Sequence, residues 1–483
     1  MKKYTSIGLL IMAILFLTAC ATNPVTGKRQ VVLMSEEQEL EMGKEADPQI
    51  IAQYGLYPDS VLQKFINEKG KKMGAISHRP HLDYTFRILD SDVLNAFALP
   101  GGYVYFTRGI MAYFNNEAEF AGVLGHEIGH ITARHSVVQQ RNAILGQIGL
   151  LAGMVISPEF AQFGEAASQG LGLLFLKFGR DAEKQSDKLG VEYSSKIGYD
   201  AKQMADFFNT LERMQLQSSE SKLPDFLSTH PNPGDRYTNV GKLAKEWKEK
   251  LKLTDPAINR NAYLKKIDGI IYGEDPKQGF VENNVFYHPV LKFQFPIPAG
   301  WAFQNSPDKF QMAPKDGKAM MMLTLATGKT LQEAANTVLQ QYKLTHVETR
   351  ETTVNGFKAI VMIAEQKTEQ QTIRTQSYII QYGALLYHMI GVSDIKSFNA
   401  NSSTFSGSMQ NFKPLTDLEK LNRKPQRVHI KSVTQNSTLD QSLRSFNVLQ
   451  AKLETHAMLN GMKLTDQVTK GTMLKIIAQE KAF

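Results

Sequence analysis

Cysteine is almost absent from this sequence of 483 residues, in which Cys20 is the only one. A single cysteine excludes a disulfide within these residues and argues against a metal site built on thiolates. Basic runs with interleaved aromatic residues are also absent, and the formal charge of +8 is small for this length. The composition therefore favours a solvated surface over a nucleic-acid groove, and we expect no nucleic-acid partner.

Long apolar runs are missing as well. The apolar run at 7–17 follows Lys2 and Lys3 and is too short to cross a bilayer, which takes a helix of about 20 residues. Its position and its flanks are typical of a secretory signal peptide. A second apolar stretch, 143–178, is broken at Pro158, and we interpret it as two buried or lid-forming helices.

The single cysteine stands directly after the first apolar run. The four residues that end at Cys20, Leu-Thr-Ala-Cys, resemble the lipobox of bacterial lipoproteins, in which the cysteine is lipidated and becomes the new N-terminus. We therefore predict a lipoprotein signal peptide at 1–19, a tether at 20–34 and a membrane anchor on Cys20. Because Ala and Thr follow the cysteine in place of Asp, bacterial sorting rules favour the periplasmic face of the outer membrane.

A motif with metal-binding spacing lies in the middle of a helix that we predict from Asn116 to about Gln139. It reads His126-Glu127-Ile128-Gly129-His130. The spacing of four residues puts both imidazoles on one helix face, one turn apart, where they can hold one tetrahedral zinc ion. Zinc lowers the pKa of a bound water toward about 7, so the intervening glutamate suffices as the base that accepts its proton.

A catalytic zinc site needs a third protein ligand, normally from a second helix. The stretch 180–187 supplies Glu183 as the predicted third ligand. Asp187 follows one turn later on the same face, where its carboxylate can hold the free nitrogen of a ligand histidine. Taken alone, the two acids would more often belong to a solvated helix face, but their distance downstream of the histidine motif reverses that preference.

Four segments within residues 23–250 resemble a known family in their order and spacing. They are the residues Asn-Ala-Phe-Ala-Leu-Pro-Gly-Gly at 95–102, the His-Glu-Ile-Gly-His helix, the acidic pair of the second helix, and Ser-Thr-His-Pro at 228–231 with Arg236. This set is similar to the HtpX-type gluzincin peptidases. That family includes the CAAX prenyl endopeptidases and bacterial lipoprotein proteases of the BepA and LoiP kind.

The resemblance implies a zinc endopeptidase with one zinc ion per chain. It implies His126, His130 and Glu183 as the metal ligands and Glu127 as the catalytic base. It also implies that the strand from Tyr103 to Thr107 presents its edge to an extended peptide, through residues Tyr103, Val104 and Tyr105. One departure from the family is Ser186, which stands where alanine is usual.

Two further residues of the resemblance, His230 and Arg236, have roles that the sequence leaves open. The resemblance implies that both approach the zinc and take part in catalysis. There, His230 either donates to the developing oxyanion or binds zinc directly in a resting state. The remaining interpretation is an exposed loop histidine. Other histidines, among them His135, lack partners at ligand spacing and fall off the shared helix face.

The pattern of apolar residues changes near residue 260, where strand-like alternation begins. We predict an α+β multidomain protein with a mostly helical zinc metalloprotease domain, which contains a small sheet, at 35–255. An antiparallel-sheet α+β domain at 260–412, a linker at 413–426 and a small module at 427–483 follow. The sheet domain resembles PsbP or DcrB folds, and the last module resembles LysM-like modules.

Together these features predict a zinc-dependent endopeptidase that cleaves polypeptides by zinc-activated water, in protein quality control of the cell envelope. Its expected partners are extended polypeptides and, through the lipid, a membrane. The alternative is a latent or largely non-catalytic chaperone or assembly lipoprotein that keeps the protease fold. A cell-wall-binding role rests on the LysM-like module alone.

Overall fold

A computed structural model describes residues 20–31, 34–143, 150–151, 154–155, 178–217, 225–230, 235–367 and 371–479. The predicted signal peptide and most of the predicted lid-forming stretch lie outside the described residues. Within the described part of the chain, no helix combines the length and the apolar character needed to cross a membrane.

The first region, up to residue 272, is mostly helical. Its helices are α1 (Glu36–Tyr54), α2 (Ser60–Gly74), α3 (Arg108–Tyr113), α4 (Glu117–Thr132), α5 (His135–Ala143), α6 (Arg180–Lys196), α7 (Lys202–Gln217), α8 (Asp225–Thr229), α9 (Arg236–Lys250) and α10 (Arg260–Lys266). Its strands are β1 (Cys20–Thr22), β2 (Arg29–Val31), β3 (Thr85–Leu89), β4 (Ala96–Leu99), β5 (Tyr103–Thr107), β6 (Leu150–Leu151), β7 (Met154–Val155) and β8 (Ile271–Tyr272).

Helix α4 is the centre of this region, because every one of its residues is buried. The Asn116 side chain accepts a hydrogen bond from the Glu119 N–H and so caps its first turn. Its neighbour α6 comes so close that a Cβ on Gly125 would lie 3.0 Å from the Gly190 Cα. A helix buried on all sides has one fixed position in the core, which suits it to carry a site.

A small three-stranded sheet lies beside α4, in the order β3-β5-β4. Strand β5 pairs in parallel with β3 and antiparallel with β4, with Ala96 opposite Phe106 and Leu99 opposite Tyr103. The far edge of β4 pairs with no strand among the described residues. The edge strand next to the zinc-motif helix is therefore β4.

The second region is built on sheets. Its strands are β9 (Phe280–Glu282), β10 (Val285–His288), β11 (Phe293–Pro296), β12 (Ala302–Asn305), β13 (Lys309–Ala313), β14 (Ala319–Leu325), β15 (Thr345–Val354), β16 (Phe357–Lys367), β17 (Thr372–Tyr382), β18 (Leu385–Asp394) and β19 (Lys413–Pro414). Its helices are α11 (Leu331–Gln341) and α12 (Phe398–Met409).

Seven of these strands form one antiparallel sheet in the order β12-β13-β14-β18-β17-β16-β15. Alternate residues of β16 face opposite sides, so Ile360 packs with α11 and Val361 lies in the apolar cluster that includes α12. The other strands form a smaller sheet, β19-β11-β10-β9. This arrangement, together with the helical first region, confirms the predicted α+β multidomain class.

The third region shares a sheet with the first region. It contains α13 (Leu418–Leu421), β20 (Gln426–Ser432), β21 (Ser437–Thr438), α14 (Leu439–Ser445), α15 (Leu453–Leu459), β22 (Gln467–Val468) and β23 (Met473–Gln479). Strand β20 pairs with β23 on one side and with β8 on the other. The segment predicted as a linker at 413–426 contributes β19 and α13.

A buried lysine joins this third region to the end of α3, just before the zinc-motif helix. The Lys475 side chain, fully buried on β23, donates hydrogen bonds from Nζ to the carbonyl oxygens of Ala112, Tyr113 and Phe114 at 2.8–3.0 Å. These carbonyls lie at the C-terminal end of α3, where the last carbonyls of a helix lack partners within it. Residue Asn116, which caps α4, follows two positions later.

Candidate metal centre

Four buried side chains converge beside α4. His126 and His130 come from α4, Glu183 from α6, and His230 follows α8. One donor atom from each lies within 4.8 Å of all the others. The His126 and His130 Nε2 atoms are 3.0 Å apart, and the His230 Nδ1 atom is 3.2 Å from His126 Nε2 and 3.0 Å from Glu183 Oε1. Such a cluster of nitrogen and carboxylate donors is the ligand set that zinc prefers.

The protonation of His130 and Glu183 fits a cation, whereas the pKa of His230 is raised, because the facing Glu183 and Glu127 outweigh the lowering effect of burial. Burial lowers the pKa of His130 well below its ordinary value, so that the imidazole is neutral and offers a lone pair. Burial acts against ionisation of Glu183, but the facing His230 and His126 outweigh it and hold the pKa of that carboxyl well below its usual range. Oxygen Oε2 of Glu183 has no hydrogen-bond partner among the described residues. The residues present fit a single zinc ion.

Two residues behind the ligands hold them in place. The Asp187 carboxylate accepts a hydrogen bond from His126 Nδ1 at 2.9 Å, as predicted from its place one turn after Glu183. Arg236 donates to Asp187 at 2.7 Å, lies 3.3 Å from Glu183 Oε2 and stacks on the Phe208 ring at 3.8 Å. The guanidinium of Arg236 therefore contacts Asp187, Glu183 and His126 together.

The predicted base, Glu127, lies on the same helix between the two histidines. It is fully buried, and neither of its carboxylate oxygens has a hydrogen-bond partner among the described residues. Burial raises the pKa of Glu127, although the facing His230 and His126 act in the opposite direction. Its Oε1 atom lies 3.7 Å from His230 Nε2. A carboxylate in this position is suited to accept and return a proton.

The helix predicted to run through Gln139 ends earlier, at Thr132. Arg134 adopts a left-handed backbone with φ of 59°, held by an ion pair from its Nε to Glu39 Oε2 at 3.0 Å. A new helix starts at His135, whose Nδ1 comes 3.1 Å from His130 Nδ1. His135 stays outside the group of four donors, and the break brings its ring against His130 from the other side.

The predicted substrate strand lies in the middle of its sheet. Tyr103, Val104 and Tyr105 belong to β5, and both edges of β5 are paired. Tyr105 is also fully buried, and its hydroxyl donates to Asp47 at 2.7 Å. The prediction of a free edge on this strand was wrong, because β4 folds back antiparallel and takes that edge.

The predicted lipidation site, Cys20, is the first described residue. Its backbone begins β1, which pairs antiparallel with β2. Three residues later, the Asn23 side chain donates to the Ala133 carbonyl at the end of α4. The tether is thus joined to the zinc-motif helix, and lipidation itself stays a prediction.

Helices around a small sheet, with a buried cluster of two histidines and a glutamate, form the arrangement that a catalytic zinc site uses. Residues 61–244 match the family described as Peptidase family M48, so this region of the chain is similar to a gluzincin-type metallopeptidase. The resemblance noted in the sequence is thereby confirmed.

Relatives in this family come from bacteria and from mitochondria. The chain is 31% identical over 238 residues to the "Beta-barrel assembly-enhancing protease" of Yersinia pestis. The matched region covers 47% of this chain and 48% of that protein. It is 26% identical over 264 residues to "Metalloendopeptidase OMA1, mitochondrial" of Homo sapiens, covering 50% of this chain and 48% of that protein. The chain spans about half the length of the curated relatives it matches.

A solved structure, cyanobacterial PsbP from Synechocystis sp. PCC 6803, aligns with 27% of this chain and 91% of that chain. The TM-score is 0.23 and the identity is 10%, so this likeness carries no argument. The PsbP- or DcrB-like and LysM-like interpretations stay predictions, as do the domain boundaries.

The ligand assignment predicts that replacing Glu183 lowers the zinc affinity more than replacing Asp187 does. In Glu183→Gln, a neutral amide replaces a charged ligand, so we expect zinc to be lost on dialysis against a chelator. In Asp187→Asn, the ligand set stays complete and zinc affinity should fall by about 10–100-fold. Elemental analysis and chelator competition measure both. Glu192→Gln, on the same helix but paired with Lys196, is the matched control. Full zinc retention in Glu183→Gln would contradict the assignment.

Proposed function

We propose that this protein is a zinc endopeptidase of the bacterial cell envelope that hydrolyses extended polypeptides. The observation that carries the proposal is the cluster of His126, His130 and Glu183, beside which the Glu127 carboxylate has no hydrogen-bond partner among the described residues. The match of residues 61–244 to Peptidase family M48 supports hydrolysis of peptide bonds. Relatives named as proteases in bacteria and mitochondria support the same activity.

The residues of the site divide the work of peptide hydrolysis among them. Zinc, when bound, supplies the Lewis acidity that polarises a carbonyl and makes water acidic. Glu127 accepts the proton of the attacking water at its carboxylate and passes it to the leaving amine. Burial raises its pKa, which helps the carboxyl to hold the proton between the two transfers. Arg236 acts as a positioning residue through Asp187 and Glu183.

Replacement of the base tests this proposal directly. Glu127→Gln keeps the size of the side chain but cannot accept a proton. We expect cleavage of casein or of a quenched peptide to fall by about 10²–10⁴-fold while zinc content stays unchanged. Wild-type protein stripped by a chelator and then reloaded with zinc serves as the reference. Proteolysis at the wild-type rate by the zinc-loaded Gln protein would refute the role of Glu127.

We propose that the substrate binds along β4 instead of the strand predicted from the sequence. The Asn95 carbonyl accepts a hydrogen bond from the Thr107 N–H, so it points toward β5. Backbone N–H and C=O groups alternate in direction along a strand. Those of Phe97 and Leu99 therefore also point toward β5, whereas those of Ala96 and Ala98 point toward the edge that pairs with no described strand. All four residues of β4 are buried, so an extended polypeptide adds there as a further strand next to α4 only when this edge is uncovered.

Removing one backbone donor from this edge tests the binding mode. Ala98→Pro deletes the N–H on the free edge and leaves the bonds to β5 in place. We expect kcat/KM for a quenched peptide to fall about tenfold, the worth of one hydrogen bond, with zinc content unchanged. Ala98→Ser, which keeps the N–H, is the control. Equal kcat/KM for the Pro and Ser proteins would place the substrate elsewhere.

The position of His230 supports the resting-state interpretation that the sequence left open. Its Nδ1 atom lies at similar distances from His126 Nε2 and Glu183 Oε1, as a fourth ligand would. Its backbone N–H donates to Phe226, and its ring stacks on the Phe226 ring. We therefore propose that His230 occupies the fourth position and keeps the enzyme latent. This is the one observation that favours the alternative of a latent assembly factor.

Replacement of His230 separates its two proposed roles by the sign of the effect. If His230 blocks the fourth position, His230→Ala should raise basal proteolysis. If it donates to the oxyanion, the same change should lower kcat by about 10²–10³-fold. We expect the rise, measured with a quenched peptide at saturating zinc. An unchanged rate would reject both roles.

The place of action follows from the sequence and from the names of relatives. We propose that a lipid on Cys20 tethers the enzyme at the outer membrane, facing the periplasm. The name of the Yersinia pestis relative supports a role in biogenesis and quality control of outer-membrane proteins. Extended segments of unfolded proteins are then the substrates. Contact of the last module with the cell wall stays a prediction.

A further inference from the structure

His135 contacts a metal ligand from the side opposite to the metal. Its Nδ1 atom lies 3.1 Å from His130 Nδ1, whereas its Nε2 atom lies 3.1 Å from Gln185 Oε1. The Ser186 hydroxyl is 3.2 Å from the same Nδ1 atom. His135 comes from α5, whereas Gln185 and Ser186 come from α6. His135 and Ser186 are buried. Neither the proposed ligands nor the proposed base accounts for this contact.

Hydrogen-bond chemistry allows one arrangement of protons here once a metal is bound. A metal on His130 Nε2 leaves the proton of that imidazole on Nδ1. The facing His135 Nδ1 must then be an acceptor, so its own proton is on Nε2. That Nε2–H donates to Gln185 Oε1, which is an acceptor in the observed geometry. An imidazolium at His135 would instead set two N–H donors against each other.

We propose that His135 is a positioning residue of the metal centre, which accepts the Nδ1–H of His130 and thereby directs the His130 Nε2 lone pair at the zinc. Outer partners of this kind usually fix the tautomer and ring orientation of a ligand histidine. Most are carboxylates or carbonyls, and Asp187 plays that part for His126. For His130, the neutral imidazole of His135 takes the position that Asp187 takes for His126.

Two substitutions distinguish this role from simple packing. In His135→Asn, the side-chain Oδ1 can stand where Nδ1 stands and can still accept from His130. In His135→Gln, the amide extends to the place of Nε2 and leaves the Nδ1 position without an acceptor. We expect the Gln protein to bind zinc about 10–100-fold more weakly than wild type, and the Asn protein to stay within about threefold.

The measurement is competition of the purified full chain against a chromophoric zinc chelator. The visible absorption of the Co²⁺-loaded protein is a second readout, expected to change for Gln and to be kept for Asn. Ser186→Ala, which removes a neighbour of His135 but not the acceptor, is the control and should retain wild-type affinity. Thermal unfolding of the metal-free proteins checks that each variant folds.

Equal weakening by Asn and Gln would show that only the shape of the imidazole matters, and would overturn the proposal. Wild-type affinity in both would overturn it as well. The inference rests on the zinc centre of the proposed function, but its readout is metal affinity. A protein that binds zinc as expected but cleaves no peptide, even after His230→Ala, would refute the endopeptidase and leave the role of His135 intact.

Discussion

The metal centre depends on how closely two helices can approach each other. Gly125 of α4 and Gly190 of α6 meet where any side chain would collide with backbone, since a Cβ on Gly190 would lie 2.9 Å from the Gly122 carbonyl oxygen. This contact sets the distance between the helix that carries His126 and the helix that carries Glu183. Zinc sites accept ligand distances within about 0.2 Å, so the spacing of the helices decides whether the ligands meet at all.

The four donors of the cluster are held from behind to different degrees. His126 and Glu183 share one network, because Arg236 contacts Glu183 and bonds the Asp187 that holds His126. His130 is contacted separately by the uncharged imidazole of His135. His230 follows a short helix, and its Nε2 atom has no hydrogen-bond partner among the described residues. The donor with the least support is therefore the one that can leave most easily.

Periodicity predicted the parts of the site that lie within single helices. The spacing of His126 and His130, and that of Glu183 and Asp187, follows from 3.6 residues per turn and needs no tertiary information. The end of α4 was missed because Arg134 is held in a left-handed conformation by Glu39, a partner 95 positions away. The free sheet edge was assigned to the wrong strand because strand order depends on a reversal at Pro100–Gly102, which periodicity does not reveal.

The contact of Lys475 with the end of α3 has a consequence for the order of folding. Its farthest acceptor in sequence, the Ala112 carbonyl, precedes it by 363 positions. The entropy lost when a loop closes grows with the length of that loop, and contacts between residues distant in sequence form slowly. The two helices that supply three of the metal ligands are much nearer to each other in sequence. We therefore expect α4 and α6 to pack together before Lys475 reaches the carbonyls of α3.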